Sequence, residues 1–328
     1  QSSVTMADYG YGATPSEPDV DNNPGNGGVT YSYHNADSDC ANATLNTWSA
    51  DVKLDAGTYC MHAQIGESSS YQSVAVGGTQ FKVNPKELTT EMVTSIASQT
   101  YTGQALSTTA TLEYNQKSLV AGTDYVITGY ENNVNAGTDT ATAIIEGRGN
   151  YTGTINVPWT IDRCILQGGV VYKEGTLTKV YDGTISSNLA IDCFKDTNRT
   201  EHHLVAGEDY QFIEAPHYER PEVSAESDYN ISYRIKLTNT NYAFTRSGNL
   251  LLDGHPNGTI TKAPQTISVP QDKTLVKNGA GVDISQWVSV SGVEGGSPAG
   301  ELRYALDGNY PGVTLTGSTL TAAKNATA

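Results

Sequence analysis

The hexapeptide VAGTDY at residues 120–125 recurs almost unchanged as VAGEDY at residues 205–210, 85 residues further along the chain. A second landmark keeps the same order. Tyr101-Thr102-Gly103 precedes the first copy, Tyr181-Asp182-Gly183 precedes the second, and Tyr11-Gly12 marks the same point in an earlier unit. Self-similarity at such a distance is the signature of a repeat architecture. The sequence therefore predicts tandem repeats.

A third landmark divides the chain at the same places. Runs that begin at Gly57, Gly137 and Asp228 each reach a tyrosine 14 residues later. Each repeat then ends in a strand, which is followed by a short connecting segment with proline or charged residues. Such segments favour semi-rigid links between repeats. The predicted domains are residues 1–85, 86–163 and 164–263, followed at 264–328 by the start of a fourth, incomplete immunoglobulin-like β domain.

Within a repeat, short strands alternate with turns. Residues 109–114 and 125–130 alternate in polarity, and turns are predicted at 115–117 and 147–150. Turn signals every 8 to 12 residues are typical of a β-sandwich or barrel. The predicted fold class is all-β, with small immunoglobulin-like β-sandwiches in an elongated array. A β-grasp-like unit is the alternative, but it requires a helix for which we find no amphipathic stretch.

Composition argues against several classes of protein. Acidic residues outnumber basic ones by 35 to 19, which gives a net charge of −16. Such a chain is unsuited to nucleic acid and to anionic lipid. No apolar run approaches the ~20 residues of a spanning helix, so membrane insertion is not expected. The first residues lack the features of a signal peptide. We therefore expect a fragment of a longer secreted protein, with the signal peptide and anchor elsewhere.

The four cysteines fall into two local pairs, Cys40 with Cys60 and Cys164 with Cys193. An even count at close spacing predicts two disulfides and an oxidising compartment. Four buried thiols are the alternative. A metal site is not favoured, because no C-x-x-C occurs and no histidine lies at ligand spacing from a cysteine.

No catalytic motif stands out. The H-E-x-x-H, G-x-S-x-G and P-loop patterns are all absent. His202 and His203 lie near His217, but adjacent residues on a strand point to opposite faces and would not share one ion. We therefore predict a non-enzymatic protein with no catalytic, cofactor or metal residues. Weak structural calcium stays open at acidic loops such as Asp253 and residues 307–309.

Further motifs place the repeats beside a known family. The first repeat carries GNGGVTYSY at residues 25–33, the second carries GRGNYTG at 147–153, and the third carries KVYDGT at 179–184. Over residues 3–263 the chain resembles the MBG-type and YDG-type tandem domains of bacterial cell-surface proteins. The resemblance implies a secreted or wall-attached, adhesin-like protein in which such domains form a stalk.

Three functions follow as hypotheses. The first is a monomeric extracellular stalk or adhesion segment that presents binding domains to a host or cell-surface glycan or protein. The second is a carbohydrate-binding module. It is motivated by the longer middle of the third repeat, residues 195–226. Tyrosines of that repeat such as Tyr218 and Tyr229 would be exposed and would stack on sugar. The third is an accessory segment of a large secreted glycan-degrading enzyme.

Overall fold

The computed structural model describes residues 2–37, 39–41, 44–225, 227–271, 273–293 and 302–326. The outer ends of the predicted first and fourth domains, residues 1 and 328, lie outside the described residues, as does Glu226 at the end of the third repeat's longer middle. Within the described ranges the regular elements are β-strands and two single turns of 3-10 helix, which bears out the all-β prediction. None of the helical turns there is long and apolar enough to cross a membrane. The chain divides into two compact units, Gln1–Cys164 and Ile165–Ala328.

The first unit opens with the strands β1 (Val4–Thr5), β2 (Tyr9–Gly10), β3 (Asp19–Val20), β4 (Val29–Asn35), β5 (Asn46–Thr47), β6 (Gly57–Ile65) and β7 (Val74–Asn84). Five of them form a sheet of order β2–β7–β6–β4–β5, and β1 pairs with β3. Alternate residues of β6 point into the core, where Met61 and Ala63 meet Phe81 and Val83 of β7. Apolar residues at a period of two explain why this segment forms a half-buried strand.

The rest of the first unit contains two further sheets of three or more strands and one parallel two-stranded pair. Its strands are β8 (Lys86–Glu87), β9 (Val93–Ile96), β10 (Gln99–Thr100), β11 (Ala110–Tyr114), β12 (Lys117–Ser118), β13 (Tyr125–Glu131), β14 (Gly137–Gly147), β15 (Tyr151–Thr152) and β16 (Thr154–Asp162), with a 3-10 turn at Thr90–Met92. The orders are β10–β16–β14–β13 and β12–β11–β9. Leu112 of the second sheet shares one core with Ile145 and Val157 of the first.

The boundary between the units falls within β17 (Cys164–Ile165). The second unit continues with β18 (Gly169–Tyr172), β19 (Thr178–Val180), β20 (Ile191–Lys195), β21 (Glu201–His202), β22 (Tyr210–Tyr218), β23 (Tyr229–Leu237), β24 (Tyr242–Ala243), β25 (Leu251–Gly254) and β26 (Asn257–Thr261). Apart from β24, they form a sheet of order β19–β26–β23–β22, in which β25 also pairs with β23, and a smaller sheet β18–β20–β21. Aromatic rings fill the interior of this part of the chain. Phe194 meets Tyr210 edge to face at 5.3 Å between centroids, and Tyr233 is 2% exposed.

The last segment of the second unit carries short strands over little core. They are β27 (Thr266–Ser268), β28 (Val282–Asp283), β29 (Ser289–Ser291), β30 (Val313–Thr316) and β31 (Thr319–Ala322), with a 3-10 turn at Ile284–Trp287. Among its described residues the buried apolar side chains are those of Ala322 and Ala326.

Three sheets share one strand order, namely β2–β7–β6–β4, β10–β16–β14–β13 and β19–β26–β23–β22. In each, a short opening strand runs parallel to a closing strand, which pairs antiparallel with a long strand. The tyrosine after each opening strand repeats one contact. The backbone N–H groups of Tyr11, Tyr101 and Tyr181 donate to the closing-strand carbonyls of Asn84, Asp162 and Thr261, all at 2.8 Å.

Candidate functional site

The repeated hexapeptide builds the same turn twice. Gly122 and Gly207 have φ values of +86° and +89°, a region that L side chains rarely adopt. Each glycine N–H donates to the carbonyl of the tyrosine three residues on, at 2.7 Å. The aspartate side chains of Asp124 and Asp209 accept from the backbone N–H two positions before each glycine, at 2.8 and 2.9 Å. The residue after each aspartate, Tyr125 or Tyr210, is buried. The turn therefore directs a tyrosine side chain into the core.

The Tyr-Asp-Gly loop of the third repeat is held from inside by Lys179, whose side chain is 5% exposed. Its ammonium group donates to the carbonyls of Thr184 and Ser186 at 2.9 and 3.0 Å, and it pairs with Asp182 at 2.6 Å. The pKa of Asp182 is lowered to about 2. The hydrogen bond from Lys179 has the largest effect, and the hydrogen bond from the Thr184 amide has the next largest. A buried charge is tolerated only with such partners. Lys179 is therefore a structural anchor for this loop.

The two tyrosines predicted to contact glycan are core residues, so that prediction is wrong. Tyr218 is 0% exposed, and its hydroxyl donates to the Leu177 carbonyl at 3.0 Å. Tyr229 is 8% exposed, with the Arg220 guanidinium 5.4 Å from its ring centroid. Tyr229 begins β23, whose alternate residues are buried, and this pattern turns its ring inward. Neither ring has a free face for a sugar.

One of the two predicted disulfides is present. Cys40 and Cys60 are bonded, with their Cα atoms 5.5 Å apart. Cys164 and Cys193 are instead buried thiols, so the second predicted bridge is not formed. Cys164 lies on β17 and Cys193 on β20. A bridge requires two converging Cβ atoms, which sequence spacing does not report. Burial raises the pKa of the Cys193 thiol.

A histidine pair that the sequence analysis did not nominate lies beside the disulfide. His34 and His62 face each other with 3.0 Å between their Nε2 atoms, and His34 is 3% exposed. The pKa of His62 is lowered, first by burial and then by His34. The two residues are 28 positions apart, so no spacing rule finds them. The available signal was the disulfide, since His62 follows Cys60 by two residues on the same strand face.

The other histidines and acidic loops have local partners. His202 Nε2 lies 3.3 Å from an Asp196 carboxylate oxygen, whereas His203 Nδ1 lies 3.1 Å from the Asp192 backbone carbonyl. The two adjacent rings thus have different partners. Asp253 forms a two-point ion pair with Arg234, and Asp307 accepts a hydrogen bond from the Tyr310 hydroxyl at 2.8 Å. The carboxylates of Asp253 and Asp307 therefore bind neighbouring side chains of the protein.

Within the first unit, the first and second predicted repeats meet at a polar joint centred on Asn150. Its side chain accepts from the Ala56 N–H at 2.7 Å and donates to an Asp55 carboxylate oxygen at 2.8 Å. Its backbone carbonyl accepts from Lys86 N–H at 2.9 Å. The ring of Tyr151 meets that of Tyr11 edge to face at 5.5 Å, and burial first, then Tyr11, raises the pKa of Tyr151 to about 12. The joint therefore combines directional hydrogen bonds with an aromatic contact.

The first repeat also holds an open cleft of about 440 Å³. Its lining includes the side chains of Asn22, Ser68, Gln72 and Tyr71. Tyr71 is 54% exposed, and its ring lies so close to Gly25 that a Cβ at that position would stand 2.8 Å from it. The cleft is thus bordered by an exposed aromatic ring and side-chain amides and hydroxyls.

Comparisons with known proteins leave the family open. The chain matches no protein-family model and no curated protein sequence.

Proposed function

We propose that the chain is a non-enzymatic, extracellular stalk or adhesion segment of a bacterial surface protein, built from tandem immunoglobulin-like repeats. The observation that carries the proposal is the shared strand order of the three sheets, together with the 2.8 Å closing hydrogen bond that each repeats. Repeats that each bury their own sheet faces suit a spacer, because length is gained by adding units. The MBG-type and YDG-type resemblance agrees with this assignment.

The second repeat supports the sandwich form of the proposal. Leu112, on the sheet β12–β11–β9, packs in one core with Ile145 and Val157, on the sheet β10–β16–β14–β13. Two sheets that share a core are the defining feature of a sandwich. A β-grasp unit would place a helix on the sheet, and the described residues of this repeat contain only the 3-10 turn Thr90–Met92. We assign the repeats to residues 1–85, 86–163 and 164–263, with a further domain beginning at 264.

The strand pairing suits a segment that carries tension. In each repeat the opening strand runs parallel to the closing strand, as β2 does to β7 and β19 does to β26. A force that pulls the two ends apart then slides these neighbours along each other, so that their hydrogen bonds are loaded together. Bonds loaded together resist more than bonds opened one at a time. The Cys40–Cys60 bridge adds a covalent limit to extension and agrees with an extracytoplasmic setting.

The Asn150 joint supports a spacer that keeps neighbouring repeats aligned. Both polar atoms of its side-chain amide are used across the joint, so Asn150→Ala removes two hydrogen bonds at once. The test is a distance distribution by pulsed electron resonance between spin-labelled unnatural amino acids at Asp51 and Asn156, both exposed. We expect a narrow distribution that broadens in Asn150→Ala and stays narrow in the control Asn198→Ala. An equally broad distribution in all three proteins would contradict the aligned spacer.

A carbohydrate-binding module is the second candidate, and the Tyr71 cleft is the observation that favours it. An exposed aromatic ring with amides and hydroxyls around it can stack on a sugar and bond its hydroxyl groups. In this candidate function the sugar-binding surface lies in the first repeat and not, as the sequence predicts, in the third. Glycan-array binding by the full chain should be lost in Tyr71→Ala and kept in Tyr310→Ala, a control at another exposed tyrosine. Binding that survives Tyr71→Ala would exclude this cleft.

The third hypothesis, an accessory segment of a secreted glycan-degrading enzyme, stays a prediction. Reading the remainder of the gene would separate it from the stalk. A neighbouring catalytic domain would favour the enzyme, and a wall-anchor signal would favour the stalk.

A further inference from the structure

The strand pairing of the first repeat brings two imidazole rings together beside the disulfide. On the antiparallel pair β4–β6, His34 stands opposite Cys60 and His62 stands opposite Ser32. The two histidines are therefore diagonal neighbours on one face of the sheet, within reach of each other. Gly78 of β7 makes room for them, because a Cβ there would lie 2.6 Å from His62 Cε1 and 2.7 Å from Cys40 Cβ.

The hydrogen bonds of His34 determine which of its ring nitrogens has a lone pair. Its Nδ1 lies 2.7 Å from the Asn35 carbonyl, which accepts only, so Nδ1 must carry the hydrogen. In the neutral ring, Nε2 then presents its lone pair toward His62 Nε2 at 3.0 Å. A backbone carbonyl that holds the far nitrogen of the ring is the usual outer contact of a metal-binding histidine.

A carboxylate lies beside His34, the first of the two rings. Ligand atoms of His34, Asp37 and Cys60 lie within 4.8 Å of one another. Oδ1 of Asp37 is buried and has no hydrogen-bond partner among the residues that the structure describes. A buried oxygen of this kind requires an explanation, and a cation is one. Cys60 does not add a fourth donor, because its sulfur is bonded to Cys40 and the thiolate is the metal-binding form.

We propose that His34 Nε2, His62 Nε2 and the Asp37 carboxylate form a zinc site. Two imidazole nitrogens and one carboxylate oxygen suit Zn²⁺ better than Ca²⁺ or Mg²⁺, which prefer all-oxygen ligand sets. With Zn–N bonds of about 2.05 Å, nitrogens 3.0 Å apart subtend an angle of about 94° at the ion, so a small separation of the rings gives tetrahedral geometry. A fourth position remains for water. The ion would tie Asp37 to the antiparallel pair β4–β6 next to the disulfide.

The test is calorimetric titration of the oxidised full chain with zinc chloride, combined with imidazole ¹⁵N spectra. We expect zinc to shift the Nε2 signals of His34 and His62. The affinity of that site should fall at least tenfold in Asp37→Asn and at least 100-fold in His62→Gln. Asp37 is partly exposed, so Asp37→Asn keeps the test valid if His62→Gln does not fold.

His203→Gln is the matched control, because Asp192, Cys193 and His203 form a second group of potential ligands within 4.8 Å. Zinc binding at His34 and His62 should persist in this variant. The proposal is overturned if the two Nε2 signals do not move with zinc, or if Asp37→Asn and His62→Gln bind zinc as tightly as the parent chain. In that case the 3.0 Å contact is a hydrogen bond between two neutral rings.

Discussion

Loss of the Cys40–Cys60 bridge should destabilise the first repeat specifically. The bridge closes a loop of 20 residues. In the chain-entropy model, such a loop removes about 11 cal/mol/K from the unfolded ensemble, which is about 3 kcal/mol at 25 °C. Since 1.4 kcal/mol is a tenfold change, the equilibrium for opening this repeat should rise by roughly two orders of magnitude. Both cysteines are buried, so Cys40→Ala with Cys60→Ala also leaves a small void, which acts in the same direction.

Hydrogen exchange followed by mass spectrometry measures this opening strand by strand. Amides of β6 and β7 should exchange about 100-fold faster in the double variant, and also in the parent chain after reduction. Amides of β14 and β16 are the internal control and should keep their rates, because those strands belong to a different sheet. Unchanged exchange in β6 and β7 would refute the loop-entropy argument. Equal acceleration in all four strands would refute the independence of the repeats.

The remaining predictions concern the third repeat. Gly207 has φ +89° and open space around it, so Gly207→Ala should lower the free energy of unfolding of this repeat by about 1 to 2 kcal/mol through backbone strain alone. Gly77→Ala, at an equally open glycine of the first repeat without positive φ, should change the free energy of unfolding of its own repeat little. Equal effects of the two substitutions, each on its own repeat in denaturant titrations, would contradict the turn argument. Asp182 has its pKa lowered from 3.8 to about 2 in the folded state. Its stabilising effect is therefore fully present above the unfolded pKa and disappears as the pH falls from about 4 through 2. Asp182→Asn should flatten the acid-unfolding profile of this repeat in that window, and an unchanged profile would show that the Lys179 pair contributes nothing.

Local features of the chain could be predicted from sequence because their causes are local. The two hexapeptides form the same turn, since Gly122 and Gly207 meet the same demand for positive φ and each aspartate reaches back to the same amide. The alternation of buried and more exposed side chains along β6, β14 and β23 likewise follows from the period of their apolar residues. The all-β class is therefore well founded on the sequence.

The site residues depend on strand register and sheet membership, which a sequence does not report. Tyr218 and Tyr229 were predicted to be exposed because the third repeat has a longer middle, but β22 and β23 turn both rings inward. Cys164 and Cys193 have close spacing but form no disulfide. The His34–His62 contact required the register of β4 against β6. In each case the missing information was which residues face each other.

The most direct test of the tandem-stalk account is single-molecule stretching of the full chain. If each repeat is delimited by its parallel opening and closing strands, the second, β10 to β16, encloses residues 99–162 and the third, β19 to β26, encloses 178–261. At about 3.6 Å per residue, they should release separate contour lengths of roughly 230 and 300 Å. The first, β2 to β7, should release roughly 200 Å when oxidised and about 70 Å more after reduction, because the bridge withholds the chain between Cys40 and Cys60, which are 20 positions apart. A single combined unfolding event, or a first increment that ignores reductant, would contradict an array of independent repeats.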